Sequence, residues 1–273
     1  MTVREALASS GLERREARLL LAHATGFSEA SVLAFTEKDL PPETQRAFRE
    51  LVSRRLRGEP IAYIVGHQEF FGLDLAVNPA VLIPRPETEL LVELALQRAF
   101  TTAVDLGTGS GAIALALKQQ RPRASVVAVE ASTAALEVAR RNAVKHALEV
   151  TFRHGRWFEP LAGERFDVIV SNPPYVARGD PHLEALRFEP PQALLAGADG
   201  LERIREIARE APRFLQPGGW LLLEHGVGQD PAVRGMLQEA GLESVASWPD
   251  LANIPRVTGG KKSNEAVKST HGH

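Results

Sequence analysis

The chain has 273 residues and a formal net charge of −2, and it contains no cysteine. The near-neutral charge argues against a generally basic, phosphate-seeking surface, and the lack of cysteine excludes thiolate metal sites, cysteine nucleophiles and disulfide bridges. A chain of this length favours one large domain with a smaller one. We find neither a signal-peptide pattern at the start nor an apolar run long enough to span a bilayer, and therefore expect a cytoplasmic protein without membrane contact.

Residues 1–68 are predicted to form a small helical domain that recognises the substrate. Apolar residues recur at helical spacing over residues 3–57. Breaks at Gly26 and at Pro41 and Pro42 divide this stretch into several short helices, because glycine and proline both interrupt helical structure.

The charges of this region do not favour nucleic acid as a partner. Residues 1–75 carry ten basic and eleven acidic side chains, whereas a nucleic-acid-binding surface concentrates basic residues. Arg54, Arg55 and Arg57 form a small basic cluster, which we interpret as a solvated helix face. A nucleic-acid partner is therefore not expected.

Residues 69–86 are predicted to form a β-hairpin that links this domain to the rest of the chain. Extended apolar runs lie on both sides of Asn78 and Pro79, which are typical turn residues. A helix is then predicted from Glu87 to Phe100, because proline lies near its start and acidic residues occupy its first turn, where the helix dipole favours them.

Residues 87–260 are predicted to form an α/β domain. Short apolar runs alternate with helical stretches, a pattern typical of a mostly parallel, doubly wound sheet with helices on both faces. The predicted strands are Ala103–Leu106, Ser125–Val129, Phe166–Val170 and Trp220–Leu223, and the predicted helices are Ala112–Gln120, Thr133–His146 and Leu201–Phe214. Two further extended runs, Leu242–Trp248 and Pro255–Thr258, are expected to close the sheet with a terminal hairpin.

Residues 261–273 form a polar, aperiodic segment, which predicts a disordered tail. Its two histidines, His271 and His273, are interpreted as tail composition rather than as metal ligands. We expect no metal in the protein's chemistry.

A glycine-rich loop follows the first strand of the predicted sheet. Its residues are Gly107, Thr108, Gly109, Ser110 and Gly111. Glycine lets the backbone turn sharply and lie against a ligand, and the helix that follows presents free N–H groups. Glu130, at the end of the second strand, is placed to accept hydrogen bonds from both hydroxyls of a ribose. The pattern predicts a nucleotide-like cofactor, although a turn for close strand–helix packing and a nicotinamide cofactor remain open at this point.

A second motif, Asn172-Pro173-Pro174-Tyr175, follows the strand predicted at Phe166–Val170. Two prolines remove two donors, so the segment offers acceptors, namely the side-chain oxygen of Asn172 and the carbonyl of Pro173. Both can hold an NH2 group, and the ring of Tyr175 can stack on a flat amide or base. The alternative is a rigid turn with a capping asparagine. A dehydrogenase has no need of this motif, which therefore favours a methyltransferase over a nicotinamide enzyme.

These two motifs, together with Glu130, resemble the family that methylates glutamine in peptide chain release factors. Asn-Pro-Pro-Tyr alone is shared with adenine and guanine methyltransferases, so the resemblance to this family depends on other stretches. Those stretches are Ile83–Glu89, Trp157-Phe158, Arg187–Pro190, Ala193-Leu194 and Leu223–Gly226. The likeness runs from the helical domain to about Gly260.

The resemblance implies a seven-stranded class I methyltransferase sheet and transfer of a methyl group from S-adenosylmethionine, leaving S-adenosylhomocysteine. The acceptor it implies is the side-chain amide nitrogen of the glutamine in the Gly-Gly-Gln loop of class I bacterial release factors, the protein's expected partners. It further implies a monomeric enzyme without a metal.

The same resemblance assigns roles to the motif residues. The loop Gly107–Gly111 would cradle the methionine end of the cofactor, Glu130 would hold the ribose and Trp157 would flank the adenine. Asn172 would contact both the cofactor and the substrate. The catalytic and substrate-binding residues implied are Asn172, Pro173, Pro174 and Tyr175.

One position departs from the family pattern. The residue before the tryptophan is commonly acidic and can accept a hydrogen bond from the adenine amine, whereas here it is Arg156, which has no acceptor. We therefore predict that a backbone carbonyl or a water replaces that contact in the bound complex.

Other residues receive structural interpretations. Arg187 and Glu189 are expected to pin a loop over the site, and His225 is expected to cap a strand end rather than to shuttle protons. Arg85 and Glu87 are expected to organise the hairpin and the helix start.

Two alternative functions remain. The first is an exocyclic-amine methyltransferase for adenine or guanine in DNA or RNA, because a base amine would meet the Asn172 motif much as an amide does; the near-neutral helical domain argues against it. The second is a non-catalytic cofactor-binding adaptor, which would not need the acceptor pair at Asn172 and Pro173. Loss of transfer with retained cofactor binding in Asn172→Ala separates an enzyme from an adaptor.

Overall fold

The computed structural model describes residues 1–264, and the chain divides into two compact units, Met1–His67 and Gln68 onward. His271 and His273, with most of the predicted tail, lie outside the described residues. Within residues 1–264, no helix is long and apolar enough to cross a membrane.

The first unit consists of helices, as predicted. They are α1 (Val3–Ser9), α2 (Arg14–Thr25), α3 (Glu29–Ala34), α4 (Pro42–Leu56) and α5 (Ile61–Val65). Gly26 ends α2 in the left-handed conformation, with φ of 71°, and Pro42 begins α4 after Pro41. The predicted breaks are confirmed, because glycine tolerates a positive φ and proline suits the first turn of a helix.

Two members of the arginine cluster in this unit are held by carboxylates. Arg54 Nε donates to Glu59 Oε2 at 2.8 Å, and Arg55 Nη2 donates to Glu16 Oε1 at 2.8 Å. The hydrogen bond from Arg54 lowers the pKa of Glu59. These ion pairs neutralise positive charge that would otherwise attract phosphate groups. They agree with the interpretation of the cluster as a solvated helix face rather than a nucleic-acid-binding surface.

The predicted hairpin exists, but its turn lies elsewhere. Strands β1 (His67–Phe70) and β2 (Leu73–Ala76) form a two-stranded sheet joined by Phe71 and Gly72. Both turn residues have positive φ, 51° and 77°, as the tight two-residue hairpin turn requires. The prediction of a turn at Asn78 and Pro79 is therefore wrong for this hairpin. Those residues form a separate turn after β2, closed by Val81 N donating to Asn78 O at 3.1 Å.

The large sheet has seven strands, as expected. They are β3 (Thr102–Leu106), β4 (Ser125–Glu130), β5 (Thr151–His154), β6 (Phe166–Ser171), β7 (Leu215–Glu224), β8 (Glu243–Pro249) and β9 (Pro255–Lys261). Their spatial order is β5-β4-β3-β6-β7-β9-β8, and the first five strands in that order pair in parallel. Strand β9 pairs antiparallel with β7 and β8, so the predicted terminal hairpin is confirmed.

In the part of the chain that the structure describes, five helices cover this sheet. They are α6 (Glu89–Leu96), α7 (Ala112–Gln120), α8 (Thr133–Lys145), α9 (Glu202–Phe214) and α10 (Asp230–Glu239). The helix predicted at residues 87–100 is shorter than expected, because Pro86–Thr88 forms a 3-10 turn and α6 ends at Leu96. Neither β5 nor α10 was predicted, since β5 has four residues and α10 carries both a proline and a glycine.

The two faces of the sheet have separate hydrophobic cores. Along β6, the buried residues Val168 and Val170 belong to the core shared with α6 and α7, whereas Ile169 belongs to the core shared with α9 and α10. Alternate side chains of a strand point to opposite faces. Burial on both faces confirms the doubly wound arrangement and explains the continuous apolar runs in the sequence.

The end of β9 corrects the predicted start of the tail. Lys261 pairs with Trp220 of β7, and the ammonium of Lys262 donates to the carbonyls of Pro212 and Leu215 at 2.6 and 2.9 Å. The pairing of β9 with β7 and the hydrogen bonds of Lys262 therefore hold the first two residues of the predicted tail in place. The sequence did not indicate this, because the segment is polar and has no apolar periodicity.

The chain order places a crevice at one edge of the sheet. Strand β3 lies between β4 and β6, so the connections that leave β3 and β6 run to opposite sides. In such sheets ligands bind beyond the carboxyl ends of the strands at this switch in direction. Gly107 follows β3 and Asn172 follows β6, so both predicted motifs lie at the crevice.

Candidate active site

A cavity of about 500 Å³ lies beyond the carboxyl ends of β3, β4 and β6. Its size suits a cofactor or drug-sized ligand. The predicted site residues that line it are Gly107, Thr108, Gly109, Ser110, Glu130, Trp157, Asn172 and Pro174. A smaller cavity of about 110 Å³ shares Asn172 and is lined by Pro173 and Tyr175. Gly111 lines neither of these two cavities and instead caps helix α7, directly before its first residue.

The glycine loop is held close to the ends of β3 and β4. The backbone N–H groups of Gly107 and Thr108 both donate to Val129 O, at 2.8 and 3.0 Å. Gly107 has φ of +75°, and a Cβ built on it would lie 3.1 Å from Cζ3 of Trp157. The position therefore needs glycine for its conformation and for the approach of the indole ring.

Glu130 is anchored to the backbone on both sides. Its Oε2 accepts from Gly109 N and its Oε1 accepts from Ser132 N, each at 2.9 Å. Each carboxylate oxygen has a second lone pair, so a fixed carboxylate of this kind can still accept from a pair of hydroxyl groups. The geometry is compatible with the predicted ribose contact, which stays a prediction.

Asp105 is a buried acid at the base of the loop that sequence reasoning did not single out. Its Oδ2 accepts from Thr108 Oγ1 at 2.5 Å and from Ala114 N at 3.3 Å, and its Oδ1 has no partner among the described residues. Burial raises the pKa of Asp105 to about 7. The signal was present in the sequence, as an acid one residue from the end of an otherwise apolar strand.

The indole of Trp157 is held by an acidic side chain of helix α9, which lies far from it in the sequence. Its Nε1 donates to Glu206 Oε2 at 3.0 Å, and Glu206 also pairs with Arg156 and with Arg203, the latter at 3.1 Å. Desolvation acts to raise the pKa of Glu206, but hydrogen bonds from Trp157 and Arg156 outweigh it, and the pKa is lowered. One carboxylate of α9 therefore holds both Arg156 and Trp157. The predicted replacement of the adenine contact stays a prediction.

The carboxamide of Asn172 is oriented by a hydroxyl. Its Nδ2 donates to Thr88 Oγ1 at 3.1 Å, which leaves Oδ1 available as an acceptor. Thr88 is buried and lies in the stretch Ile83–Glu89. The sequence identifies this stretch as typical of the family, but it does not predict a role for Thr88. The amide thus bonds to a side chain, which differs from the capping asparagine of a simple rigid turn.

Tyr175 points its hydroxyl into the protein. The phenol donates to Glu224 Oε1 at 3.4 Å, and the backbone carbonyl of Tyr175 accepts from Gln229 Nε2 at 3.1 Å. Burial, followed by the charge of Glu224, raises the pKa of the tyrosine, so the phenol stays neutral. Burial also raises the pKa of Glu224 to about 7.

The loop that follows the second motif is pinned near the cavity. Buried Glu189 accepts from Ile83 N at 3.0 Å and forms an ion pair with Arg85. Pro190, the next residue, lines the larger cavity. Glu189 thus has the expected pinning role, whereas Arg187 pairs with Glu184 of its own segment at 2.9 Å.

His225 has a structural environment. It is fully buried, its Nε2 lies 2.8 Å from Thr258 Oγ1 and its Nδ1 lies 3.0 Å from Gly226 O. Burial lowers its pKa, which favours the neutral ring. These contacts tie the end of β7 to β9, as the strand-end interpretation expects.

Two family models match the chain. Residues 86–197 match the methyltransferase small domain, and residues 2–66 match the PrmC N-terminal domain. In residues 1–264 no group of three or more His, Cys, Asp or Glu side chains is placed to hold a metal ion.

Comparisons with known proteins agree with these matches. The release factor glutamine methyltransferase of Xylella fastidiosa strain Temecula1 is 51% identical over 94% of this chain and 96% of its own length. That of Neisseria gonorrhoeae is 49% identical over 96% of this chain and 98% of its own length. The fold is shared with the 16S rRNA N2 G1207 methyltransferase of T. thermophilus, solved with AdoMet and guanosine, at a TM-score of 0.54 and 24% identity over 72% of this chain and 49% of that one. With half of its residues identical to such a relative over nearly the full length of both, the chain belongs to the family of release factor glutamine methyltransferases.

Proposed function

We propose that this protein transfers the methyl group of S-adenosylmethionine to the N5 side-chain amide nitrogen of the glutamine in the Gly-Gly-Gln motif of class I bacterial release factors. The observation that carries the proposal is the Asn172 carboxamide, whose Nδ2 is occupied by Thr88 and whose Oδ1 is available beside the larger cavity. An amide NH2 group needs acceptors, and this orientation supplies one.

The larger cavity fits the proposed cofactor. Gly107 allows the backbone to approach Trp157, and Glu130 offers a fixed carboxylate at the end of β4. We propose that the loop Gly107–Gly111 holds the methionine end, that Glu130 binds the ribose and that Trp157 lies against the adenine. When bound, S-adenosylmethionine supplies an electrophilic methyl group on a sulfonium.

The smaller cavity fits the proposed substrate group. We assign to Asn172 Oδ1 and the Pro173 carbonyl the two N–H bonds of the glutamine amide, and to the Tyr175 ring the flat face of that amide. Holding both N–H bonds raises electron density on a nitrogen whose lone pair is otherwise delocalised. Alignment of reacting groups contributes at most about 7–11 kcal/mol in favourable intramolecular cases. Formation of the N–C bond would be matched by cleavage of the bond between the methyl carbon and the sulfonium sulfur, which would leave S-adenosylhomocysteine, and the nitrogen would release one proton to water.

The remaining assignments complete the proposal. We infer that residues 1–68 recognise the release factor, that the enzyme acts as a monomer in the cytoplasm and that S-adenosylhomocysteine is the product. No protein-bound metal has a role in this chemistry.

A transfer assay tests the proposal. The protein is incubated with methyl-labelled S-adenosylmethionine and either a bacterial release factor, the same factor with its Gly-Gly-Gln glutamine changed to alanine, or a structured RNA. We expect label in the unchanged factor only. Label in the RNA would support the alternative of an exocyclic-amine methyltransferase, and label in the altered factor would refute the assigned acceptor.

A further inference from the structure

A cationic side chain lies in the wall that the two cavities share. Arg85 lines both the larger cavity and the smaller one, as Asn172 does. Among the described residues that line the smaller cavity, Arg85 carries the only charged side chain. A guanidinium therefore borders the space that we assign to the glutamine amide.

The backbone and the guanidinium of Arg85 are both held in place. Arg85 stands between Pro84 and Pro86, and a residue that precedes proline is confined to extended conformations. Its φ of −102° and ψ of 144° lie in that region. The guanidinium donates through Nη2 to Oε1 of Glu189, whose side chain is only 3% exposed and whose Oε2 accepts from Ile83 N at 3.0 Å. Because this carboxylate is buried and bonded through both oxygens, it fixes the cation in the cavity wall.

A primary amide in the smaller cavity needs a donor as well as acceptors. Its two N–H bonds are assigned to Asn172 Oδ1 and the Pro173 carbonyl, but its oxygen must also be bonded, because a buried acceptor without a partner weakens binding. The Nδ2 group of Asn172 is occupied by Thr88 Oγ1 at 3.1 Å. The hydroxyl of Tyr175 is occupied by Glu224 Oε1 at 3.4 Å. The other side chains of this wall are apolar, namely those of Leu82, Val176, Leu186, Ala193 and Leu194.

Arg85 is the side-chain donor that remains. Within residues 1–264, its hydrogen bonds are made to Glu189 alone. A guanidinium carries N–H groups on several nitrogens in a rigid fork, so one nitrogen can hold Glu189 while another donates to a ligand. A hydrogen bond from this permanent cation is also stronger than one between neutral groups.

We infer that Arg85 is a substrate-binding residue whose guanidinium donates to the carbonyl oxygen of the glutamine side-chain amide. The inference rests on the proposed function, since it takes that amide as the occupant of the smaller cavity. The oxygen and the NH2 group of a primary amide have similar sizes, so shape alone does not distinguish its two orientations. Acceptors at Asn172 and Pro173 and a donor at Arg85 select the orientation in which the nitrogen lies at the acceptors.

A double-mutant cycle between the enzyme and a class I bacterial release factor tests this contact. The Kd of the complex is measured by calorimetry with saturating S-adenosylhomocysteine, so that no methyl transfer occurs. Two factors are compared, the unchanged one and one in which the glutamine of the Gly-Gly-Gln motif is changed to methionine. Methionine has a similar length but lacks the carbonyl oxygen.

The variant Arg85→Met should discriminate between the two factors. We expect the Kd of the unchanged factor to rise about tenfold, while that of the methionine factor changes less than about threefold. Arg153→Met is the matched control, because Arg153 is 31% exposed against 34% for Arg85, pairs with Glu164 and lines neither cavity. It should leave both Kd values unchanged.

A second variant keeps the test decisive if Arg85→Met does not fold, which urea unfolding reveals. Arg85→Lys retains a cation for the buried carboxylate of Glu189, but a single nitrogen replaces the fork and cannot hold Glu189 and reach the amide oxygen together. The same difference between the two factors is therefore expected.

Equal changes in the Kd of the two factors, whether both rise or neither does, would overturn the inference and show that Arg85 only pins the loop through Glu189. The proposed function would stand in that case, because the wild type would still transfer label to the unchanged factor. A wild-type enzyme that transfers no label to this factor would instead refute the proposed function.

Discussion

Replacing Gly107 by alanine perturbs the conformation of the cofactor loop and its contact with Trp157 at the same time. Gly107 has φ of +75°, a conformation that costs an L-residue about 1–2 kcal/mol of stability. The new Cβ would lie 3.1 Å from Cζ3 of Trp157, which is tighter than ordinary van der Waals contact, so the ring must move. Displacing the Trp157 ring should weaken the binding free energy of the cofactor by about 0.5–1.5 kcal/mol, which raises its Kd roughly twofold to tenfold.

Gly163 provides the matched control. Its φ is +81°, and nothing lies within 4 Å of a Cβ built on it. Gly163→Ala should therefore lower the free energy of unfolding by a similar amount without changing cofactor binding. Calorimetry with S-adenosylhomocysteine and urea unfolding measure the two effects separately. Equal Kd values for Gly107→Ala, Gly163→Ala and the wild type would refute the assignment of Gly107 and Trp157 to the cofactor cavity.

Asn172→Ala should abolish methyl transfer and largely retain S-adenosylhomocysteine binding; a variant that turns over like the wild type in a label-transfer assay would exclude the acceptor role. Glu206→Ala removes the acceptor of the Trp157 indole, so KM for S-adenosylmethionine should rise several-fold while kcat at saturation is retained, and an unchanged KM would show that Glu206 does not orient the ring. Burial raises the pKa of Asp105 from 3.8 to about 7, so the folded state prefers the protonated acid, and its contribution to stability is lost as the pH rises through about 7. Asp105→Asn should therefore lose less unfolding free energy than the wild type between pH 4 and pH 8 in urea titrations, and equal losses would contradict this account.

Local patterns in the sequence determined the order and type of most elements. Helix α7 begins and ends where its apolar spacing predicts, and the apolar runs of β3, β4 and β6 were predicted to within one residue at each end. These elements are buried on a sheet with helices on both faces, so their apolar periodicity is strong. The positions of the glycine loop and the Asn172 motif could also be predicted from the sequence, because each directly follows the end of such a strand.

Elements defined by pairing rather than by periodicity were missed or misplaced. Strand β5 has four residues and exists through its ladder with β4, and β9 reaches Lys261 because Trp220 pairs with it. Turn propensity places the hairpin turn at Asn78 and Pro79, whereas the two strands are joined at Phe71 and Gly72. Propensity alone does not show which of two neighbouring turns connects a pair of strands.

The sequence pattern is thus sufficient to predict the doubly wound fold and the residues of the two motifs, whereas the side chains that support these motifs are identified from the folded structure. Glu206 lies 49 residues from Trp157, Glu224 lies 49 residues from Tyr175, and Thr88 lies 84 residues from Asn172. No local pattern joins such pairs, because they meet only when separate strands and helices bring their ends to the same edge of the sheet. The orientation of the Asn172 carboxamide, on which the proposed chemistry depends, is therefore a property of the folded protein.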